Sequence, residues 1–212
     1  MNQLQIRKYA KFYGKIEVLK VEELTIENGI YWLKGKNGSG KSTFLKSVAG
    51  IIDFYGEIML NHKISCKENT VAYRKKVNFA EAEPIFPAFL TGKELINLFA
   101  DAKEASLSQI DYYLEALKMK SYIDENIGAY SSGMQKKLSL VLAFIGKPDL
   151  ILLDEPLTTL DVESVELLHK LISERHISDN TSFIISSHHE IDFDNTIAHK
   201  TISIENNTIT LQ

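Results

Sequence analysis

The first third of the chain alternates polar and apolar residues with a period of two, the pattern of a half-buried β-strand. A turn is expected at Asn28-Gly29, where two residues that favour turns separate two such segments. The sequence therefore begins with a strand-rich unit. The predicted strands cover residues 4–6, 16–18, 24–26, 30–33, 57–60 and 77–80.

Beyond Pro84 the apolar residues recur at helical spacing instead. Helices are predicted at 91–100, 106–118 and 133–145, and a shorter one at 43–49 ends at Gly50. Ser106 is expected to cap the second of the long helices. The apolar face of that helix is expected to contain Leu107, Ile110, Leu114 and Leu117.

Strands and helices alternate again after Pro148, with a hairpin turn expected at Asn206-Asn207. The wholly apolar run at 150–153 and the segment at 183–186 are predicted strands, and 162–172 is a predicted helix. We expect one domain, 1–212, with an α/β core. The core covers about 1–84 and 148–212, and a helical lobe of about 85–147 interrupts it.

Composition excludes several classes of protein. Of 212 residues, 44% are hydrophobic and 25% are charged, which is ordinary for a globular chain and excludes a disordered one. A formal net charge of −4 argues against a protein that grips nucleic acid mainly through its phosphates. No apolar run approaches the roughly 20 residues of a membrane span. The start is not a signal peptide, and one cysteine suggests a reducing compartment.

The segment 35–42, GKNGSGKS, matches the phosphate-loop pattern G-x-x-x-x-G-K-[ST] without a mismatch. Glycines let backbone N–H groups converge on phosphate oxygens, and the following helix points its positive end at them. Lys41 would place a cation between the β- and γ-phosphates, and Ser42 would offer its hydroxyl to Mg²⁺. The alternative is an ordinary glycine loop.

Two carboxylates, Asp154 and Glu155, follow the apolar strand at 150–153. Ligands bind at the carboxyl ends of the strands in a parallel sheet, so these side chains are expected beside the phosphate loop. Asp154 would hold Mg²⁺, and Glu155 would polarise the water that attacks the γ-phosphate. The alternative is a strand that merely ends in acidic residues at the surface.

With these motifs in order, the chain resembles an ABC-type ATPase subunit. The segment 130–135, YSSGMQ, resembles the family's signature in its Tyr-Ser-x-Gly-Met form, and Leu160-Asp161 resembles the D-loop. Ser186-Ser187-His188 resembles the switch-histidine segment, and Tyr13 matches the aromatic residue that stacks on adenine. The resemblance runs from about residue 4 to residue 210.

This resemblance implies an α/β P-loop NTPase fold, with a RecA-like core, an antiparallel β subdomain and an interrupting helical lobe. It also implies ATP and Mg²⁺ as ligands. Lys41, Glu155 and His188 are the implied catalytic residues, and Ser42 and Asp154 are the implied metal ligands. The implied nucleotide-binding residues are Tyr13, Asn37, Gly38, Ser39, Gly40, Lys41, Ser42, Thr43, Ser131 and Gly133.

Three of these assignments have alternatives. Tyr13 is either the adenine-stacking residue or a half-buried aromatic of a strand. His188 is preferred to its neighbour His189 because the family position falls on it, although a histidine after a strand is more often structural. Asp161 either only caps the next helix or combines that cap with a role in the D-loop.

The chain departs from the family pattern at two places. The family usually has a glutamine that contacts the metal and senses the permease, and Ala82 stands there, between Glu81 and Glu83. Either glutamate reaches the site instead, or the contact is missing. The signature also has Ser132 in place of a common glycine and Met134 in place of a common glutamine.

The family implies a head-to-tail homodimer or heterodimer with two ATP molecules at the seam, together with a separate transmembrane permease and no nucleic acid. The expected location is the cytoplasmic face of a membrane, and the short signature suggests an exporter. The alternative is a soluble ABC ATPase acting as an assembly or nucleic-acid factor without a permease. The entry of the helical lobe is expected either to form a groove that binds a permease helix or to belong to the core. Its residues are Pro84, Phe86, Pro87, Phe89 and Leu90.

Overall fold

The computed structural model describes residues 3–187 and 199–212, and a ten-stranded sheet runs through them. The strands are β1 (Leu4–Tyr13), β2 (Ile16–Ile26), β3 (Ile30–Gly35), β4 (Tyr55–Leu60), β5 (Ile64–Ser65), β6 (Val77–Ala80), β7 (Leu150–Asp154), β8 (Ser182–Ser186), β9 (His199–Glu205) and β10 (Thr208–Leu211). The helices are α1 (Lys41–Val48), α2 (Thr70–Lys76), α3 (Gly92–Lys103), α4 (Leu107–Ala116), α5 (Ser132–Phe144) and α6 (Val162–Asp179).

The sheet order is β5-β4-β1-β2-β10-β9-β3-β8-β7-β6. β1 is antiparallel to β2 and β4, whereas β3, β6, β7 and β8 form a parallel group that also includes β9. The expected α/β P-loop NTPase class, with an antiparallel region beside a parallel core, is confirmed. Because parallel strands share one carboxyl edge, residues that follow β3, β7 and β8 lie near each other.

Both faces of the parallel sheet are covered, and β7 shows how. Leu150 and Leu152 belong to one hydrophobic core, with the antiparallel strands and α1, while Ile151 and Leu153 belong to the other, with α3, α4, α5 and α6. All four side chains are at most 2% exposed. A strand that is buried on two faces has no polar alternation, which explains the unbroken apolar run.

Helix caps follow the sequence closely. The hydroxyl of Ser106 accepts a hydrogen bond from the backbone N–H of Gln109 at 3.2 Å, which confirms it as the N-cap of α4. Asp161 caps α6 in the same way through Ser164, at 2.8 Å. Leu107 was expected on the buried face of α4 but is 81% exposed. It occupies the first turn, ahead of the part of the helix that packs against the lobe.

Several predicted boundaries were wrong. The strands predicted at 16–18 and 24–26 are one strand, β2, since the buried Leu19 and Val21 continue the alternation between them. α2 and β5 were not predicted. α2 buries only Tyr73 and so lacks an apolar stripe. No helix within the described ranges is long and apolar enough to cross a membrane.

Candidate functional site

The glycine loop, 36–40, joins β3 to α1. Gly38 and Gly40 have φ angles of 76° and 102°, in the left-handed region that side chains with a Cβ rarely adopt. The first helical hydrogen bond of α1 runs from Phe44 N to Gly40 O at 2.8 Å. The N–H groups ahead of Phe44 have no partner in the helix ladder, so the loop ends in a positive helix terminus suited to an anion.

Lys41 is the first residue of α1, and its side chain turns back into the glycine loop. The residue is only 8% exposed. Its Nζ donates hydrogen bonds to the carbonyl oxygens of Gly35, at 2.8 Å, and Lys36, at 3.4 Å. The ammonium group is therefore held within the loop by the backbone.

The acidic residues lie at the carboxyl end of β7, two strands away from β3. Asp154 is 1% exposed, and its Oδ1 accepts a hydrogen bond from Ser186 Oγ at 2.6 Å. The backbone N–H of Glu155 donates to Ser186 O at 3.2 Å and to Ser186 Oγ at 3.0 Å. Ser186 ends β8, so the strand next to β7 fixes both acidic residues.

Glu155 has a φ of 45°, a left-handed conformation that is uncommon for a residue other than glycine. Strained backbone of this kind persists only where the surroundings impose it, and it is frequent at functional sites. Glu155 lines a cavity together with residues of the glycine loop.

A cleft of about 430 Å³ joins three of the predicted segments. It lies between the end of β1, the glycine loop with the start of α1, and the residue that follows β7. The structure thus brings most of the predicted nucleotide-binding residues together. The residues that line the cleft are Tyr13, Val18, Asn37, Gly38, Gly40, Lys41, Ser42, Thr43 and Glu155.

Tyr13 stands at one end of the cleft and is 52% exposed. The ammonium of Lys11 lies 4.9 Å from the centroid of its ring. Tyr13 is the last residue of β1, so it is a half-buried aromatic of a strand, and its exposed surface is also available to a planar ligand.

The residues fit a magnesium ion that is shared with phosphate groups. Mg²⁺ prefers oxygen ligands and is usually bound through one or two protein side chains, with phosphates and water completing the octahedron. Ser42 offers a hydroxyl in the cleft, and Asp154 offers a carboxylate at the end of β7, one residue before the cleft-lining Glu155. No group of three or more potential metal-ligating side chains occurs within residues 3–187 and 199–212, so a fully protein-made metal cage is not present there.

The loop after β6 does not supply an acidic group to the cleft. Glu81 forms an ion pair with Lys46 on α1, and Glu83 is exposed. Of the described residues that line the cleft, none is Glu81, Ala82 or Glu83. Of the two alternatives, this arrangement favours the missing contact, since neither glutamate lines the cleft and Glu81 is paired with Lys46.

The signature segment, 130–135, forms a separate surface. Ser131 caps α5, and its Oγ accepts a hydrogen bond from Met134 N at 3.2 Å. Ser131 is exposed and Gly133 is partly exposed, but neither belongs to the cleft lining. A Cβ on Gly133 would lie 3.1 Å from Thr159 O, which leaves little room for a larger residue.

Asp161 is held by α5, the helix that begins in the signature segment. Lys137 of α5 forms an ion pair with Asp161 at 3.2 Å. The pKa of Asp161 falls to about 2, first because the backbone N–H of Ser164 donates to it, and then through the Ser164 side chain and Lys137. His188, the predicted switch histidine, lies outside the described residues.

Two functional candidates escaped the sequence reasoning. Ser186 was noted only as part of the histidine segment, yet its hydroxyl binds Asp154; a polar residue at the carboxyl end of the neighbouring parallel strand was the available signal. Lys136 is 1% exposed and lies on the buried side of α5 with Ser139 and Leu140. A lysine at helical spacing from such core positions was the signal for it.

Comparison with known proteins agrees with this geometry. The profile of the family described as ABC transporter matches residues 19–158, about two thirds of the chain. The zinc uptake system ATP-binding protein ZurA of Listeria innocua is 29% identical over 223 residues, covering 99% of this chain and 85% of that protein. An uncharacterised ABC transporter ATP-binding protein of Methanocaldococcus jannaschii is 32% identical over 193 residues, covering 90% and 69%.

A solved structure has the same fold. It is the dimeric structure of an ATP-binding cassette in a post-hydrolysis state, bound to ADP and Pi. It superposes on this chain with a TM-score of 0.83 at 20% identity, covering 99% of this chain and 97% of that one. At this identity the likeness concerns the fold alone.

Proposed function

The chain belongs to the ABC transporter family, and we propose that it is the ATP-binding and hydrolysing subunit that powers a separate membrane permease. It is an ABC ATPase. One observation carries the site assignment: a single cleft of about 430 Å³ is lined by Tyr13, the glycine loop, Lys41 and Glu155. These groups match the base, the phosphates and the attacking water of ATP hydrolysis.

In this proposal the nucleotide lies along the cleft. The Tyr13 ring stacks on adenine, which is possible because about half of the residue's surface is exposed. The backbone N–H groups of 37–43 donate to the phosphate oxygens, and Lys41 neutralises charge that develops as the γ-phosphoryl group leaves. Binding and charge stabilisation therefore come from the loop and its helix.

Glu155 is the proposed general base. It accepts a proton from the water that attacks the γ-phosphorus, the bond from that phosphorus to the ADP oxygen breaks, and ADP with inorganic phosphate is formed. Ser42 and Asp154 would hold a magnesium ion, which supplies charge neutralisation at the phosphates. Ser186 keeps Asp154 in place through its 2.6 Å hydrogen bond.

One chain leaves the cleft open on the side opposite Lys41, and we propose that a second ATPase subunit covers it. Ser131 is an exposed hydroxyl at the N-terminus of α5, a helix of 13 residues that can bind an anion. It does not line the cleft of its own chain. A head-to-tail dimer would bring this surface to the phosphates of the other protomer, and the cassette of similar fold is described as dimeric.

A groove separate from the cleft is the proposed permease contact. It has a volume of about 690 Å³ and lies between the end of α1, α2, β6 and α3. Ile51 and Val71 line it and are 55% and 74% exposed. Arg74 and Lys75 add positive charge, so an amphipathic helix with an acidic residue fits this groove.

The segment 84–90 had two expected roles, a permease groove or part of the core. Phe86 and Leu90 pack against the hydrophobic core of the lobe, whereas Phe89 is 79% exposed. Core and surface residues alternate there, and none of that segment lines the 690 Å³ groove. We propose the surface formed by α1, α2 and α3 as the permease contact, because it carries the groove of about 690 Å³.

Location and direction of transport belong to the proposal as well. Docking on a permease would hold the chain at the cytoplasmic face of the membrane. The expectation of an exporter stays a prediction, because the short signature is its sole basis and one relative carries the name of a zinc uptake protein. The transported substrate is a property of the permease.

Phosphate release by the purified chain with Mg·ATP tests the enzymatic part. Glu155→Gln should slow hydrolysis by roughly 10²–10⁴-fold, the range for loss of a general base, while ATP binding persists. Glu104→Gln is the control, because Glu104 is an exposed glutamate that is paired with Lys75 and does not line the cleft. Normal turnover in the Glu155 variant would remove it from this role.

Affinity purification of the tagged chain from detergent extracts tests the permease part. We expect a protein with several membrane spans to co-purify, and Val71→Asp to abolish that association, because the charge would enter the groove. Val162→Asp is the control, because Val162 is 76% exposed and does not line the groove. Recovery of RNA or a soluble scaffold instead would favour the alternative, an assembly or nucleic-acid factor.

A further inference from the structure

Lys136 is a buried lysine whose ammonium group binds only backbone carbonyls. It lies on α5 and is 1% exposed. Its Nζ donates to the carbonyl oxygens of Ala82 at 2.8 Å, Glu81 at 3.2 Å and Asp154 at 3.4 Å. An ammonium has three donors, so these three acceptors use its full capacity.

The three carbonyls belong to the carboxyl ends of two neighbouring strands. β6 and β7 are parallel, and their last paired residues are Ala80 and Leu153. Glu81 and Ala82 follow the first strand, and Asp154 ends the second. Lys136 therefore joins the strand tips beyond the point where their pairing ends, one residue ahead of Glu155.

A buried cation is an expensive way to hold two strands together. Burial lowers the pKa of Lys136 to about 8, against the attraction of Asp154, Glu155 and Glu83, which acts in the opposite sense. An apolar side chain of the same volume would avoid that desolvation. What an apolar side chain could not provide is a donor for these three carbonyl groups, which the ammonium holds together.

α5 also carries the signature surface. Ser131 is its N-cap, and Lys136 lies five residues further on, about 7 Å along the helix axis. A helix transmits a shift of one end to the other because its backbone is hydrogen-bonded throughout. If a phosphate of the nucleotide on the other protomer binds Ser131, it would therefore also fix the position of the Lys136 ammonium.

We propose that Lys136 is a positioning residue for ATP hydrolysis, which holds the tip of β7 so that Glu155 faces the cleft and links that tip to the signature surface. This inference rests on the proposed function. Lys136 touches neither the nucleotide nor the water, since it is absent from the cleft lining. Its effect is on the geometry of the base, and so on the rate of the chemical step.

The test compares two lysines, the buried Lys136 and the partly exposed Lys103, whose ammonium groups donate to backbone carbonyls at opposite ends of β6. Lys136→Met should lower kcat at least tenfold and change KM for ATP less than threefold. Lys103 of α3 donates to Val77 O at 3.2 Å and to Arg74 O, at the start of the strand and away from the cleft. Lys103→Met should therefore leave kcat unchanged, although it too removes an ammonium group that donates to backbone carbonyls.

A second readout separates positioning from general loss of stability. The backbone N–H of Glu155 donates to Ser186, so its hydrogen exchange reports how firmly the β7 tip is held. Exchange at Glu155 should be faster in the Lys136→Met chain and unchanged in Lys103→Met. If Lys136→Met does not fold, Lys136→Gln, which keeps two amide donors, should lower kcat at least threefold with KM retained.

The outcomes distinguish this inference from the proposed function. If the wild-type chain hydrolyses ATP and both Lys136 variants keep its kcat and its Glu155 exchange rate, the positioning role is wrong and the ATPase assignment stands. If the wild-type chain neither binds nor hydrolyses ATP, both are wrong. Equal loss of kcat in Lys103→Met would also overturn the inference, because position along β6 would then not matter.

Discussion

Ser186 donates a 2.6 Å hydrogen bond from its Oγ to Oδ1 of Asp154, across two neighbouring parallel strands. The same Ser186 Oγ accepts a hydrogen bond from the backbone N–H of Glu155 at 3.0 Å. One serine hydroxyl therefore fixes the proposed metal ligand and the backbone of the proposed general base. The contact with Asp154 is buried, and a hydrogen bond to a charged group is stronger than one between neutral groups.

Ser186→Ala should lower the free energy of unfolding by about 1–3 kcal/mol, because it leaves a buried carboxylate with one fewer donor. It should also raise the Mg²⁺ concentration needed for half-maximal ATP hydrolysis. Denaturant unfolding and a Mg²⁺ titration of phosphate release measure the two effects.

Ser203→Ala is the matched control for that variant. Ser203 is 2% exposed in the same sheet, and its hydroxyl has no hydrogen-bond partner among residues 3–187 and 199–212. Its loss should be nearly neutral. Equal effects of the two substitutions would mean that the Ser186 hydrogen bond contributes nothing particular to the site.

The parallel core was readable from sequence because burial on two faces leaves a simple pattern. The apolar run before Asp154, followed by two acids, predicted both a buried strand and its functional end. The glycine loop was readable because Gly38 and Gly40 need left-handed backbone. These features are local, so residue order alone specifies them.

Other features depend on tertiary contacts and could not be read this way. Lys136 is a polar residue on a core-facing helix position, and only the fold reveals that three carbonyls from distant segments converge on it. The ion pair of Glu81 with Lys46 likewise joins two residues that are far apart in the sequence. α2 was missed since its stability comes from one buried tyrosine, Tyr73, rather than an apolar stripe.

Tyr13→Ala should raise the Kd for ATP between about fivefold and a hundredfold, as expected for the loss of one aromatic–base stack worth about 1–3 kcal/mol. Tyr13→Phe should bind almost normally. Phe12→Ala is the control, because Phe12 is the adjacent aromatic and packs edge-on against Tyr55. Calorimetric titration with ATP measures all three, and equal weakening by Phe12→Ala would refute a specific stacking role.

Ser131→Arg should prevent the ATP-dependent dimer. In a Glu155→Gln background, which slows hydrolysis, light scattering after gel filtration should find a dimer with Mg·ATP and a monomer without it. Adding Ser131→Arg should leave a monomer that still binds ATP, because Ser131 lies outside its own cleft.

Ser106→Arg is the control for that experiment. Ser106 also caps a helix of the lobe through a 3.2 Å hydrogen bond, and it too is exposed. Its variant should dimerise with ATP. Persistent dimerisation of the Ser131 variant would contradict the proposal that this surface covers a partner's nucleotide.

Lys103 should make stability depend on pH. Burial, and secondarily the charge of Arg74, lowers the pKa of Lys103 from 10.5 to about 8 in the folded chain. Between pH 8 and 10.5 the unfolded chain therefore binds more protons, so the free energy of unfolding rises with pH in this window.

The comparison with Lys103→Met isolates this contribution from other titrating groups. The difference in unfolding free energy, wild type minus variant, should grow by about 2 kcal/mol as the pH rises from about 8 to about 10, and stay level below that window. Urea unfolding at each pH measures it. A constant difference across the window would mean that Lys103 keeps its ordinary pKa.

The most direct test of the account is calorimetric titration of the wild-type chain and Lys41→Ala with Mg·ATP. Lys41 is the cation held in the glycine loop, by Gly35 O at 2.8 Å, and it lines the proposed nucleotide cleft. We predict saturable binding at one site per wild-type chain, with an affinity lowered at least tenfold in Lys41→Ala. Equal affinity of the two chains, or no binding by the wild type, would contradict the assignment of this cleft to ATP.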